Sequence, residues 1–212
     1  MVVDWTFNYS IFYINKTFSH TNKIVKFVKY LPLFLFVIGL GFIIKPSFYY
    51  SKGLLAQSLL DDAWNESRKS GRPIKAWSWA DTYPIGKIII PSLDFSSIIL
   101  KGEIVEALAF GPAHIEGTSK LGEQGNIGIA GHRDSFFRKL EKIQNGDFIS
   151  IEDLEGSHIY NVTQISIVEK NDTQWLHSTH FDCLTLVTCY PFSISGNAPQ
   201  RFIVRAESVY EK

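Results

Sequence analysis

The chain has 212 residues, and its 21 lysines and arginines balance its 21 aspartates and glutamates. This length fits one domain of ordinary size plus an additional segment. Because recognition of a phosphate backbone depends on a surplus of basic residues, the balanced charge argues against a nucleic-acid-binding protein. The two cysteines, Cys183 and Cys189, fall within one predicted strand. They would lie about 20 Å apart, too far for a disulfide bond.

Residues 30–50 are predicted to form a transmembrane signal anchor. The run from Tyr30 to Ile44 carries no charge, and flanking lysines can complete a span of about 20 residues by snorkelling. Residues 1–29 contain four lysines and one acid, Asp4, so this segment is predicted to be cytoplasmic and the rest of the chain exported. Two alternatives stay open, namely a buried core helix and a signal peptide cleaved near Ser51.

The remainder of the chain is predicted to be a linker helix followed by a mainly β domain. Residues 51–75 carry apolar side chains at helical spacing, and Gly71 and Pro73 end the helix. Residues 76–212 contain short apolar and β-branched runs separated by proline, glycine and aspartate. These runs predict strands at 87–90, 95–100, 126–131, 148–151, 158–168, 183–189 and 201–209. Short strands with one clear helix favour a β-barrel or sandwich over alternating strands and helices.

Three segments carry side chains suited to thiol chemistry. Cys189 lies at a strand end, because Pro191 cannot donate to a sheet ladder. His132 follows the strand at 126–131, and Arg201 opens the last strand. A cysteine nucleophile needs a proton-transfer partner, and a guanidinium can stabilise an oxyanion. The spacing along the chain leaves open whether the three side chains meet, and the alternative is that Cys189 is a small buried hydrophobic residue.

The motifs around these residues resemble the three signature motifs of the sortase family. They are Ala130-Gly131-His132, then Thr185-Leu186-Val187-Thr188-Cys189, and then Arg201. The resemblance extends from about Trp79 to Val209, and the segment Trp79-Ala80-Asp81-Thr82-Tyr83-Pro84 is similar to the sortases of marine proteobacteria. The resemblance implies a closed eight-stranded β-barrel and membrane-anchored cysteine transpeptidation.

The resemblance also implies a role for each motif residue. Cys189 would attack the threonine carbonyl of an LPXTG-like C-terminal sorting signal, His132 would protonate the departing amine, and Arg201 would hold the peptide and its oxyanion. Ala130 and Thr188 would line the peptide groove. No cofactor and no metal are expected. The partners would be a substrate protein bearing the signal and an unidentified amine acceptor. The chain would be a single-pass inner-membrane protein with its barrel in the periplasm.

Several neighbouring residues have alternative roles. Asp134 could orient the imidazole of His132, as in other catalytic triads, but this role is not favoured because the pairing would need a turn between the two residues. Arg205 shares strand parity with Arg201, and the motif spacing of the family favours Arg201. His114 is expected to be structural, because no second metal ligand is spaced near it. Three acids could imitate the calcium site of some sortases, although scattered surface acids are the favoured interpretation: Glu103, Glu106 and Asp147.

Two alternative functions also remain. One is a peptidase that releases its acyl group to water instead of an amine. The other is a non-catalytic, membrane-tethered peptide-binding module that keeps the barrel.

Overall fold

The computed structural model describes residues 30–36, 38–40, 55–101, 104–194 and 196–209. The chain divides into two compact units, residues 1–52 and 53–212. The described residues of the first unit, 30–36 and 38–40, are helical. Within the described ranges, no helix has both the length and the apolar character needed to span a membrane. Residues 1–29, part of the predicted anchor and the alternative cleavage position near Ser51 lie outside these ranges.

The second unit contains a closed barrel of eight β-strands, which confirms the predicted mainly β, eight-stranded barrel. The strands are β1 (Tyr83–Ile90), β2 (Phe95–Lys101), β3 (Ala113–His114), β4 (Asn126–Ala130), β5 (Phe148–Glu152), β6 (Ser157–Glu169), β7 (Cys183–Tyr190) and β8 (Gln200–Ser208). Their order around the barrel is β1-β2-β3-β4-β7-β8-β6-β5. The pairs β2–β3 and β4–β7 are parallel, and the pairing of β1 with β5 closes the barrel.

Alternation along β7 and β8 divides their side chains between the barrel interior and its outer face. Leu184 and Leu186 belong to the buried core, together with Val204 from β8. Because successive side chains of a strand point to opposite faces, the intervening residues of both strands face outward. Cys189 and Arg201 are among these outward-facing residues, so the barrel core does not bury them.

A helix, α1 (residues 55–70), packs against the outside of the barrel. Leu60 and Trp64 are buried in a second apolar cluster with Ile98, Leu100, Ala107 and Ala113. Gly71 has a φ of 68° and follows the last helical residue, the left-handed conformation that commonly ends a helix. The predicted end of the helix at Gly71 is therefore confirmed.

A second helix, α2 (Ile104–Phe110), connects β2 to β3. The sequence pattern does not predict it, because a run of seven mostly apolar residues is compatible with either a strand or a helix. Three 3-10 turns complete the described structure of this unit: Pro91–Leu93, Phe136–Lys142 and Gln174–Leu176.

Candidate active site

The candidate site lies at one end of the barrel, where β4 and β7 finish and β8 begins. We call this end the site edge. β4 and β7 run parallel, with Ala130 paired to Val187, so both strands end there. β8 runs antiparallel to β7, so its first residues lie at the same edge. The topology thus gathers three segments that are far apart in the sequence.

Cys189 and Arg201 are directly opposite each other in the β7–β8 pair. Side chains opposite each other in an antiparallel pair share a face, and their Cβ atoms lie about 4.5–5.5 Å apart. Both residues are half-buried, and Cys189 is a free thiol. The guanidinium is therefore within reach of a group bound at the thiol.

His132 follows β4 by two residues and is exposed. The amide of Gly131 donates to the carbonyl of Val187 at 3.1 Å, and the hydroxyl of Thr188 donates to the carbonyl of Gly131 at 2.7 Å. These two hydrogen bonds continue the parallel register past Ala130. Extended by two residues, this register would place His132 level with Cys189. Within the described residues, no hydrogen bond joins the imidazole to the thiol.

The guanidinium of Arg201 is held by the backbone that precedes it. Its Nη1 donates to the carbonyls of Ala198, at 3.2 Å, and Gln200, at 3.0 Å. These bonds orient the side chain through one nitrogen. Among the described residues, Nη2 and Nε make no hydrogen bond, so their N–H groups are available to a ligand.

The two predicted groove residues differ in exposure. Ala130 is half-buried on the outer face of β4, where a peptide could contact it. Thr188 is only 2 % exposed, and its hydroxyl is committed to the Gly131 carbonyl. The prediction that Thr188 lines the groove is therefore not supported, because strand parity turns this side chain away from the face that carries Cys189. Thr188 instead fastens the end of β4 to β7.

Asp134 does not orient His132, a role that the sequence offered only as a disfavoured alternative. Its carboxylate accepts a hydrogen bond from Nε of Arg133 at 3.0 Å. Arg133 itself is buried, with 2 % of its side chain exposed. Sequence reasoning missed Arg133, and its position next to His132 was the available signal. Its contacts join the segment that follows β4 to the connection between β7 and β8.

Arg205 is occupied elsewhere, so it is not an alternative to Arg201. Its Nη2 donates to the carbonyl of Trp175 at 2.7 Å, its Nη1 donates to the sulfur of Cys183 at 3.2 Å, and its Cζ lies 5.6 Å from the centroid of the Trp175 ring. Asn126 donates to the same Trp175 carbonyl at 2.8 Å and accepts from the hydroxyl of Thr185 at 2.7 Å. We call Asn126, Cys183, Thr185 and Arg205 the anchor cluster.

The anchor cluster fixes the connection between β6 and β7 on the outer face of the barrel. This connection contains the turn Gln174–Leu176. A Cβ on Gly128 would lie 3.1 Å from a methyl carbon of Leu176, so the connection covers β4 two residues before Ala130. The outer face beside Cys189 is therefore bounded on one side by this connection.

Two groups away from the site edge have shifted pKa values. Burial, and after it the carboxylates of Asp182 and Asp153, raise the pKa of Tyr160 to about 12. A hydrogen bond from the side chain of Lys120 lowers the pKa of Glu123. Tyr160 lies in the first half of β6, away from the end that meets Arg201.

Two alternatives from the sequence involve metal ions, namely a ligand role for His114 and a calcium site formed by three acids. Among the described residues, no three histidine, cysteine or acidic side chains are grouped in a way that could hold a metal ion. Glu103 lies outside the described residues. Asp147 accepts a hydrogen bond from the amide of Gln144. His114 is buried, and its Nε2 contacts the carbonyl of Ser119 at 2.9 Å.

The fold and the site edge define a class of protein, namely a closed β-barrel with a thiol, an imidazole and a guanidinium at one end. A family model for the sortase domain matches residues 88–209. The chain therefore belongs to the sortase family, whose members are cysteine transpeptidases.

Individual proteins agree with this assignment. The chain is 34% identical to sortase D of Bacillus subtilis over 125 residues, which cover 58% of this chain and 63% of that protein. It is 30% identical to sortase A of Listeria monocytogenes over half of this chain and 49% of that protein. The match therefore spans about half to two thirds of the length of these relatives.

Solved structures show the same fold. The sortase D5 transpeptidase of Clostridium perfringens matches with a TM-score of 0.61 and 25% identity, covering 74% of this chain and 99% of that one. Sortase A from Corynebacterium diphtheriae matches with a TM-score of 0.57 and 29% identity, covering 63% of this chain and 64% of that one.

Proposed function

We propose that this protein is a membrane-anchored cysteine transpeptidase. It would cleave an LPXTG-like C-terminal sorting signal and transfer the substrate protein to an amine. The observation that carries the proposal is the pairing of Cys189 with Arg201 across β7 and β8, with His132 at the end of the adjoining parallel strand.

In the first half-reaction, Cys189 as a thiolate, with His132 protonated, attacks the carbonyl carbon of the threonine in the sorting signal. The carbon–sulfur bond forms, and the carbonyl oxygen becomes an oxyanion that the free N–H groups of Arg201 can stabilise. When the peptide carbon–nitrogen bond breaks, His132 supplies a proton to the departing amine. The product is a thioester between Cys189 and the substrate protein.

In the second half-reaction, an incoming amine attacks the thioester carbonyl. His132, now neutral, accepts a proton from this amine. The new amide bond forms as the carbon–sulfur bond breaks, and the thiolate of Cys189 leaves. Water in place of the amine would give hydrolysis, so the ratio of the two products measures how strictly the enzyme is a transferase.

The membrane attachment and cellular location are also proposed. The uncharged run from Tyr30 to Ile44 and the preceding lysines support a single-pass protein of the inner membrane, with residues 1–29 cytoplasmic and the barrel in the periplasm. The segment from Trp79 to Pro84 supports a sortase of the marine proteobacterial type. The proposed organisation is an anchor at 30–50, a linker helix at 51–75 and a catalytic barrel at 76–212.

The test uses the full chain in detergent, a peptide containing an LPXTG-type signal, and an amine. We expect a new amide product, together with a thioacyl adduct on Cys189 that mass spectrometry detects. Cys189→Ala should lower product formation by at least about 1,000-fold, because no other group replaces the nucleophile. Cys183→Ala is the matched control and should keep the adduct, because Cys183 is fully buried.

Retention of the amide product by Cys189→Ala would refute the proposal. A peptide that binds while a thiol-reactive substrate analogue fails to label Cys189 would favour the non-catalytic binding module instead.

A further inference from the structure

The side chain of Arg133 is buried, although that of the preceding residue, His132, is exposed. Only 2 % of the Arg133 side chain is exposed. Burying a guanidinium is unfavourable unless hydrogen bonds and charge compensate it. The hydrogen bonds that offset the cost of burying this guanidinium therefore indicate the role of the side chain.

The guanidinium of Arg133 bonds to three acceptors on two segments. Nε donates to the carboxylate of Asp134 at 3.0 Å. Nη1 donates to the carbonyl of Pro191 at 3.0 Å, and Nη2 donates to the carbonyl of Gly196 at 3.1 Å. Hydrogen bonds from a charged donor are about twice as strong as neutral ones.

Two of these acceptors, the carbonyls of Pro191 and Gly196, lie on the connection between β7 and β8. Pro191 is two residues past Cys189, and Gly196 is five residues before Arg201. The backbone of Arg133 continues directly from His132. One side chain therefore links the segments that carry all three proposed catalytic residues.

A second contact ties the same segments together. Arg138, in the turn Phe136–Lys142, donates to the carbonyl of Phe192, and its Cζ lies 6.0 Å from the centroid of the Phe192 ring. Arg138 is about half exposed, so solvent screens its interactions more than those of Arg133. We therefore infer that Arg133 contributes more than Arg138 to holding the connection between β7 and β8 in place.

We propose that Arg133 is a positioning residue that fixes His132 and Arg201 relative to Cys189. The proposal rests on the proposed transpeptidase function. Arg133 itself touches no reacting atom. Its effect on the reaction follows from geometry, because a displacement of a catalytic group by about 1 Å can lower a rate by about 100-fold.

Lysine cannot replace arginine in this role. The planar guanidinium directs N–H groups at several acceptors at once, whereas an ammonium on a flexible chain is a single point charge. Arg133→Lys keeps the charge but would lose the bridge between Pro191 and Gly196. This substitution therefore separates positioning from charge.

The experiment compares full-length wild type, Arg133→Lys and Arg68→Lys. Arg68 is an exposed arginine on α1, paired with Glu152 away from the site edge. We expect Arg133→Lys to lower kcat by about 10- to 100-fold while KM changes by less than about threefold. Arg68→Lys should leave both constants within about twofold. Rates are normalised to the folded fraction, measured by near-ultraviolet circular dichroism.

A kcat of Arg133→Lys within about threefold of wild type would overturn the proposal. The same conclusion would follow if the loss of activity matched the loss of folded protein. Where Arg133→Lys fails to fold, Asp134→Ala is the second test. Asp134 is 59 % exposed, and removing the charge partner of the buried guanidinium should weaken its hold on the carbonyls of Pro191 and Gly196. A lowered kcat in that variant supports the proposal, and an unchanged kcat overturns it.

A substrate-independent measurement distinguishes this failure from a failure of the proposed function. Iodoacetamide alkylates Cys189 without any sorting signal, and mass spectrometry separates this product from alkylated Cys183. We expect Arg133→Lys to change the alkylation rate of Cys189 by at least about threefold, because His132 is displaced from the thiol. An equal rate overturns the positioning role. A wild type that makes no thioacyl adduct refutes the transpeptidase function alone.

Discussion

At the scale of single residues, the site edge depends on small details of packing around His132. Gly131 has no Cβ, and the ring of Phe137 occupies the space where one would lie. An ideal Cβ would be 2.5, 2.6 and 2.9 Å from three ring atoms. Phe137 is fully buried in the barrel core and packs edge-to-face on Phe95, so the ring cannot easily move aside.

We therefore expect Gly131→Ala to destabilise the protein by about 1–3 kcal/mol, the usual cost of overpacking a core. Urea unfolding of the full chain measures this change. Gly156→Ala is the matched control, because no atom lies within 4 Å of its ideal Cβ. Equal unfolding midpoints for the two variants would contradict the explanation. Since His132 follows Gly131, transfer activity should fall in Gly131→Ala as well.

At the scale of elements, the anchor cluster explains the second cysteine and the second arginine of β7 and β8. Arg205 and Asn126 both donate to the carbonyl of Trp175, and Asn126 also donates to that of His177 at 3.0 Å. A connection of this length lacks the ladder of a strand, so such contacts determine its position. Cys183 is a packing residue here, in contrast to Cys189.

We expect Arg205→Gln to loosen residues 170–182. A hydrogen bond from a charged group contributes about 1.5–3 kcal/mol, so amide hydrogen exchange in this segment should accelerate by about 10- to 100-fold. Exchange followed by mass spectrometry measures the change, with Arg68→Gln as the control for loss of a surface charge. Unchanged exchange in residues 170–182 would show that other contacts hold the connection.

At the scale of the whole molecule, α1 packs against the outside of the closed barrel and covers apolar side chains there. Trp64 is 2 % exposed and Leu60 is 1 % exposed, and both pack on side chains of β2 and α2. The predicted boundary at residue 75 places this helix in a linker. Its contacts place it with the barrel in the unit formed by residues 53–212.

We expect Trp64→Ala to destabilise the protein by about 3–5 kcal/mol, the typical cost of removing a buried tryptophan. Leu55→Ala, on the same helix but at a residue 60% exposed, should change the unfolding free energy by less than about 0.5 kcal/mol. Chemical denaturation of both variants makes the comparison. If the two substitutions have equal effects, α1 is a tether and not part of the folded unit.

Local sequence signals predicted seven of the eight strands, all except β3 (Ala113–His114), and the motif resemblance supplied the candidate catalytic residues. The β-branched run before Pro191 predicts β7, whose last residue is Tyr190. Strand alternation correctly puts Arg201 and Arg205 on one face. The motif resemblance then separates them, and the structure supplies the physical distinction, because Arg205 is engaged by Trp175 and Cys183.

Tertiary structure alone decided how these segments meet. The parallel pairing of β4 with β7 joins residues more than fifty positions apart, and no local propensity encodes such a register. The same is true of Arg133, whose acceptors lie in a connection 58 and 63 residues later. The sequence by itself determined seven of the eight strands and the motifs around Cys189, His132 and Arg201, because strand patterns and motifs are local features of the chain. The fold determined which side chains share a face and which are buried, because both depend on partners distant in the chain.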